Sequence, residues 1–471
     1  MLKNNTTKLK ASVRLMGLVV MVAILGGCTM APTYIRPDAP IPNVYSSDAG
    51  NGDPNLMPWR TFFKDEGIQR VVGLALEHNR DLRIALLNVE KARALYRIQA
   101  ADLLPTISAA SSIDSQKLPA MMSPTLERDI TRTYSASLGF SAFELDLFGR
   151  VRSLTEAAHE QYYSIDNDAQ SARLTLVAEV AGMYLQLVAD RELRDITEKT
   201  YKNRKSHHDS TLMRHKSGIA SLLEVSQART GMEEARSSFA QLEAKLGQTE
   251  NTLALLMGTS IPQDLPNVRK LTMVKALPDV PAGLPSQLLE RRPDLVSAEH
   301  MLKSYNANIG AARANFFPII SLTAALGTIS PDARHLFGNG METWRFMPQA
   351  TLPIFDTGRN IATLQAAKRD KDIAVARYEK TIQTAFKEVS DGLVQREFIG
   401  EQLDAQKELL NATSQYYSLA KNRYDVGVDN QLTMLDAQRS LYSAEVSYIN
   451  TRLLRETNAL TLYKTLGGGW E

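Results

Sequence analysis

Three side chains near the C-terminal end, Leu432, Asp436 and Arg439, stand at i, i+4 and i+7. On a helix that spacing sets an apolar residue, an acid and a base on one face. Two readings of the charged pair stand open: groups facing a pore, or a surface ion pair worth roughly a few tenths of a kcal/mol. An earlier stretch has Leu223, Gln227 and Thr230 at the matching places, with no charge. Just upstream, Arg423 and Tyr424 precede Gly427-Val428-Asp429, and Gly218-Ile219-Ala220 occupies the equivalent earlier place. Arg423 and Tyr424 can tie one element to another or hold their own turn. Both glycines fall where a helix should end in left-handed backbone. His207, His208 and His215 lie near the first turn, but no His/Glu pair at i, i+4 supports a metal site. Gly258-Thr259-Ser260-Ile261-Pro262 lacks the spacing of a hydrolase elbow. With no phosphate loop and no nucleophile–base set, neither catalysis nor a bound metal is expected.

The elements that position these residues are outlined by proline, which costs about 3 kcal/mol inside a helix. The prolines cluster at 32–58, 105–124, 262–293 and 318–353, leaving two long proline-free stretches. From Gly358 to Asp425 the chain reads as one helix of about 100 Å at 1.5 Å per residue. A short interruption at Arg423–Asn430 follows, and a second helix returns to Tyr463. Gly149 to Lys216, Ser217–Ser221 and a return to Met257 repeat this hairpin 209 positions earlier. The first long helix carries one apolar stripe through Val151, Leu154, Ala158, Tyr162 and Ile165. A second, through Leu174, Val177, Ala181, Tyr184 and Val188, lies nearly opposite. Such a helix suits a stave with a neighbour on each flank, or a helix buried in a bundle.

The duplication extends upstream. Asp81, Leu82, Ala85, Pro105 and Ser108 recur as Asp294, Leu295, Ala298, Pro318 and Ser321. Each half therefore reads helix, strand, loop, strand, long helix, returning helix: a mainly α chain with a small β part. The expected divisions are a signal peptide at 1–27, a strap at 28–60, a first repeat at 61–260, a linker at 261–285 and a second repeat at 286–471. Strands are expected at about 105–148 and 318–356, and long hairpins at about 149–257 and 358–464. Four strands cannot close a membrane barrel, which needs at least eight. If these strands cross a membrane, several chains share one barrel, and a trimer would supply twelve.

The 54 basic and 52 acidic residues nearly cancel, with no basic tail, so nucleic acid is a poor candidate partner. Lys3, Lys8, Lys10 and Arg14 precede an apolar run, Leu15–Leu25, that ends in Gly26-Gly27-Cys28. This is the pattern of a secretory signal, and the run is short for a transmembrane anchor. Leu25-Gly26-Gly27-Cys28 resembles a bacterial lipobox, which implies lipidation of Cys28, and Thr29 after it implies sorting to the outer membrane.

Taken in order, several motifs resemble the TolC-like outer-membrane factors, in their lipoprotein, OprM-type branch. They are Phe143–Arg150, Arg291-Arg292-Pro293-Asp294, Ala307–Arg313, Asn315-Phe316-Phe317-Pro318, Gly427-Val428-Asp429 and Leu435–Ser440. The resemblance runs from Cys28 to Trp470. It implies a homotrimer with a twelve-stranded outer-membrane β-barrel continued by a long periplasmic α-helical barrel. Such a protein is a passive exit duct for drugs or other small molecules, driven by an inner-membrane pump of the RND type through a periplasmic adaptor (membrane fusion) protein. The same resemblance points Leu432, Asp436 and Arg439 into a periplasmic gate with Arg423 and Tyr424 nearby. It gives Gly218, Ile219, Ala220, Gly427, Val428 and Asp429 to the adaptor. Two other classes are a periplasmic coiled-coil scaffold and a surface adhesin or receptor using the loops at 118–129 and 331–341. If Cys28 carries the lipid, Cys28→Ser should yield an unmodified chain that still assembles. Mass spectrometry of the mature N-terminus decides it, and a wild-type chain that keeps residues 1–27 with a bare Cys28 would refute the lipid anchor.

Overall fold

The structure is a computed structural model and describes residues 29–42, 45, 57–117, 119, 121, 130–278, 283 and 285–468. The signal-like run, Cys28, most of the 118–129 loop and Gly469-Trp470 lie outside the described residues. In chain order the elements are α1 (Trp59–Phe62), α2 (Glu66–His78), α3 (Arg80–Ala101), β1 (Ser108–Lys117), β2 (Ile130–Glu144), α4 (Arg150–Lys216) and α5 (Leu222–Met257). The second half follows with α6 (Leu288–Arg291), α7 (Pro293–Ala314), β3 (Ile319–Ser330), β4 (Glu342–Thr351), α8 (Arg359–Asp425) and α9 (Gln431–Thr465). α1 and α2 are separate helices, because Asp65 accepts from the N–H groups of Gly67 and Ile68 at 2.9 and 3.2 Å and starts a new helix. Asn79 marks the next break: its Oδ1 accepts from Leu82 N at 2.8 Å, while its amide reaches the Leu256 carbonyl.

Compactness does not follow the sequence repeat. One unit gathers the segments up to Asp38, Asn88–Ile165 and Ser297–Tyr378; the other gathers Ala39–Leu87, Asp166–Val296 and Glu379–Glu471. Each unit therefore draws on both halves of the duplication.

In the first unit the four strands form one antiparallel sheet in the order β1-β2-β3-β4. Leu138, Leu326 and Trp344 pair in a row across three strands, and Phe140, Ala324 and Phe346 make the next row on that face. The opposite face carries Ser137, Gly327 and Thr343. A bulge between Phe140 and Phe143 puts Ala142 at φ 52°. Every residue of β1 and β4 is exposed, so among the described residues neither sheet face is covered and each end strand has an unpaired edge.

The Phe143–Arg150 motif is the corner where β2 becomes α4. Glu144 holds Arg150 (Nε to Oε1, 2.8 Å), and Asp146 accepts from Arg152 N at 2.8 Å. At the second corner Asp356 accepts from the N–H groups of Gly358 and Asn360 at 3.0 and 2.8 Å. Both carboxylates satisfy donors at a helix start.

In the second unit Phe62 stacks on Tyr463 with ring centroids 4.1 Å apart, and Phe63 adds an edge contact. The Tyr463 hydroxyl donates to the Met57 carbonyl at 3.0 Å. Asp190 is fully buried and accepts from Gln186, Thr249 and Lys245, each at 2.8 Å, fastening α4 to α5. The Arg291–Asp294 motif is a clamp. Arg292 donates to both oxygens of Asp294, to Glu388 at 2.9 Å and to the Thr465 carbonyl at 3.1 Å, so it binds α8 and the end of α9. Pro293 opens α7, where its missing N–H has no consequence.

Part of the strap belongs to the first unit and lies along α7. Met30 and Pro32 offer carbonyls to Arg313 and Asn306, and Arg36 donates to Glu299 at 2.6 Å. Glu299 is 5% exposed and also receives the Tyr34 hydroxyl at 3.2 Å and Lys303 at 3.3 Å. Burial alone would raise its pKa, but the Arg36 hydrogen bond and the Lys303 and Arg36 charges outweigh it and hold the carboxyl below the usual range. A depressed carboxylate stabilises the fold above its unfolded value, about 4.3, and that contribution disappears as pH falls through the folded value. A charged hydrogen bond of this kind contributes about 1–3 kcal/mol, toward the lower end because Arg36 is half exposed. Glu299→Gln should therefore raise proteolysis of residues 30–40 severalfold at neutral pH. It should also remove the loosening that wild type shows below about pH 4; equal digestion of both proteins across that range would count against the clamp.

Candidate functional site at the hairpin tips

The two turns named in the sequence are built the same way, both in the second unit. At the first, Gly218 N donates to His215 O at 2.9 Å, and Ile219 N reaches back to Arg214 O at 2.9 Å. At the second, Gly427 N donates to Tyr424 O at 3.0 Å, and Val428 N to Arg423 O at 2.8 Å. This pair of bonds satisfies the last carbonyls of a helix and requires left-handed backbone at the glycine. Gly218 has φ 75° and Gly427 φ 79°. A Cβ at either would meet nothing within 4 Å, so backbone angle alone selects glycine. The return helices are then capped by Ser221, which exchanges hydrogen bonds with Glu224, and by Asn430, which accepts from Thr433 N at 3.0 Å.

The tips differ in how their arginines pair. Arg423 forks onto Asp429 (Nε to Oδ2 2.7 Å, Nη2 to Oδ1 2.9 Å), closing its own turn and holding that carboxyl below the usual range. Its counterpart, Arg214, has Ala220 where the second tip has Asp429. It crosses to the other hairpin and donates to the Tyr424 hydroxyl at 2.9 Å. Gln431 adds a second link, from Nε2 to Glu224 O at 3.3 Å. Of the two readings open for Arg423 and Tyr424, Arg423 holds its own turn and Tyr424 takes part in a tie between hairpins of one chain. Arg214 was missed by sequence reasoning. Its only signal was the absence of an acid six residues downstream.

Leu432, Asp436 and Arg439 share the exposed face of α9, while Gln431, Met434, Ala437 and Gln438 bury the opposite one. Leu432 is 62% exposed. Arg439 Nη2 donates to Asp436 Oδ1 at 2.7 Å, a solvent-facing pair. Ile219, Leu222, Leu223, Val426 and Val428 also present apolar surface at the tips. Ala220 does not: it is 7% exposed, and its carbonyl accepts from His215 Nδ1 at 2.7 Å. His208 lies against Asp209 at 3.2 Å. His207 packs on Tyr424, with ring centroids 5.7 Å apart.

The outer membrane efflux protein family matches the chain twice, over residues 71–259 and 284–468. Among curated proteins, the antibiotic efflux pump outer membrane protein ArpC and the toluene efflux pump outer membrane protein TtgC, both of Pseudomonas putida, are similar. Each is 50% identical over 463 residues, covering 97% of this chain and 96% of its own. The open-state structure of the Neisseria gonorrhoeae MtrE outer membrane channel superposes with a TM-score of 0.86 at 35% identity, covering 94% of this chain and 99% of that one.

Because a side chain at Gly427 meets no neighbour, its replacement should cost only the left-handed backbone, about 1–2 kcal/mol for alanine. Asparagine, which tolerates that region, should cost less. Hydrogen exchange of the Tyr424–Asn430 segment measures this; alanine and asparagine behaving alike would show that another contact sets the turn.

Proposed function

As the chain belongs to the outer membrane efflux protein family and is the outer-membrane channel component of an efflux system, we propose that three copies share one twelve-stranded barrel. The observation that carries this reading is the sheet. Its two free edges and its uncovered faces suit a structure completed by other chains, since backbone groups in hydrocarbon must be paired. The row of Leu138, Leu326 and Trp344 faces lipid, and the row of Ser137, Gly327 and Thr343 faces the water-filled lumen. Cys28 carries a lipid that adds an anchor in the outer membrane.

At the periplasmic end the exposed face of α9 supplies the gate. Threefold repetition makes rings of Leu432, Asp436 and Arg439: the leucines narrow and dewet the aperture, and the aspartates favour cations. Asp436 carboxylates brought within a few ångströms repel one another, so closure rests on the leucine ring, on Arg439 beside each acid and on the Arg214–Tyr424 tie. The apolar tips around Gly218-Ile219 and Gly427-Val428 receive a periplasmic adaptor, with Asp429 already engaged by Arg423 and Ala220 turned inward. An inner-membrane pump of the RND type supplies the energy, and the chain transports without catalysing. Its cargo is of the kind its relatives are named for, antibiotics and apolar solvents such as toluene.

Leu432→Ala should raise resting single-channel conductance in planar bilayers, and adding Tyr424→Phe should raise it further. Asp436→Ala should weaken cation preference while keeping the apolar constriction. Well-inserted trimers of the first two variants that conduct like wild type would place the aperture elsewhere.

A further inference from the structure

His207 and Arg214 stand seven residues apart on α4, two helical turns, and so share a face. Both meet one side chain of α8. The His207 ring lies edge-on to Tyr424, with centroids 5.7 Å apart and planes at 67°, and Arg214 Nη1 donates to the phenol oxygen at 2.9 Å. Tyr424 is in turn part of the second tip, where its carbonyl accepts from Gly427 N at 3.0 Å. One tyrosine thus couples the first hairpin to the turn of the second.

A polar atom in this node lacks a partner. His207 Nε2 is buried and makes no hydrogen bond among the described residues. The charged and titratable groups around the ring are Arg214 and His208 on its own helix, and Tyr424 and Asp425 on α8. Asp425, the carboxylate among them, is held by Lys421 at 2.6 Å. A proton on Nε2 would therefore enter a buried site beside a guanidinium, with no acceptor at hand.

We infer that His207 is a positioning residue that makes the tie between the two hairpins acid-labile: neutral, it packs against Tyr424; protonated, it leaves the node and frees the second tip. This rests on the gate reading above for its effect on transport, but not for the contact itself. Burial first, and then the Arg214 charge, hold the imidazole below its ordinary range; Asp425 opposes this weakly and His208 adds to it. The tied form binds a proton less well than the released form. The tie is therefore at full strength above the ordinary imidazole value, about 6.5. It weakens as pH falls from there to the lower value of the tied form, by at most roughly tenfold per pH unit for one proton per subunit.

The test is hydrogen–deuterium exchange of full-length wild type, His207→Gln and Tyr424→Phe, corrected for intrinsic rates, at about pH 7.5 and about pH 5.5. Wild type should lose protection severalfold at both tips, 214–221 and 424–430, on acidification. His207→Gln should keep one level of protection at both pH values, and Tyr424→Phe should be poorly protected at both. An acid response of His207→Gln equal to that of wild type would overturn the inference, as would wild-type protection in Tyr424→Phe. Conductance over the same pH range separates the two readings. Tips that loosen as described in a channel whose conductance does not follow would support the node and displace the aperture from this end.

Discussion

A peptide N–H or C=O has no substitute partner in hydrocarbon, and this requirement weighs on the chain more than any side-chain contact. Its sheet has four strands, bare faces and two unpaired edges. In water such a sheet would invite aggregation; in a shared barrel the same edges become the seams between copies. The apolar row through Leu138, Leu326 and Trp344 has no purpose inside one chain and a clear one against lipid.

The rest of the molecule carries that sheet's connections. The corner motifs turn strand into helix with side-chain carboxylates, which satisfy part of the first-turn donors of two helices of 67 residues each. Buried polar groups then fasten helix to helix. Asp190 joins α4 to α5, and Arg292 clamps α8 and the end of α9. Such groups are stable only when fully satisfied, and that restricts the packing to one register. At the tips the links between hairpins are single contacts, Arg214 to Tyr424 and Gln431 to the Glu224 carbonyl.

Duplication followed by divergence explains the division of labour between the tips. Both keep the glycine and its two backbone bonds. The second has Asp429 to close on Arg423; the first has Ala220, so Arg214 reaches across to Tyr424. The presence or absence of that one acid separates a local brace from a link between hairpins. The charged pair on this face also falls on one repeat alone, since Leu223, Gln227 and Thr230 carry no charge where Leu432, Asp436 and Arg439 carry two.

By itself the sequence determined what depends on near neighbours. Proline placement marked the long helices, and the 209-residue offset between Gly218 and Gly427 paired the turns. The spacing of Leu432, Asp436 and Arg439 fixed their common face, because helical periodicity needs no tertiary information. Only the tertiary structure decided who meets whom at long range. Tyr424 lies 210 residues from Arg214, and Glu299 lies 263 from Arg36. No local pattern ranks those partners above others, because each is chosen by packing that brings distant helices side by side. The compact units likewise cut across the repeats, since contact, unlike descent, is indifferent to chain order.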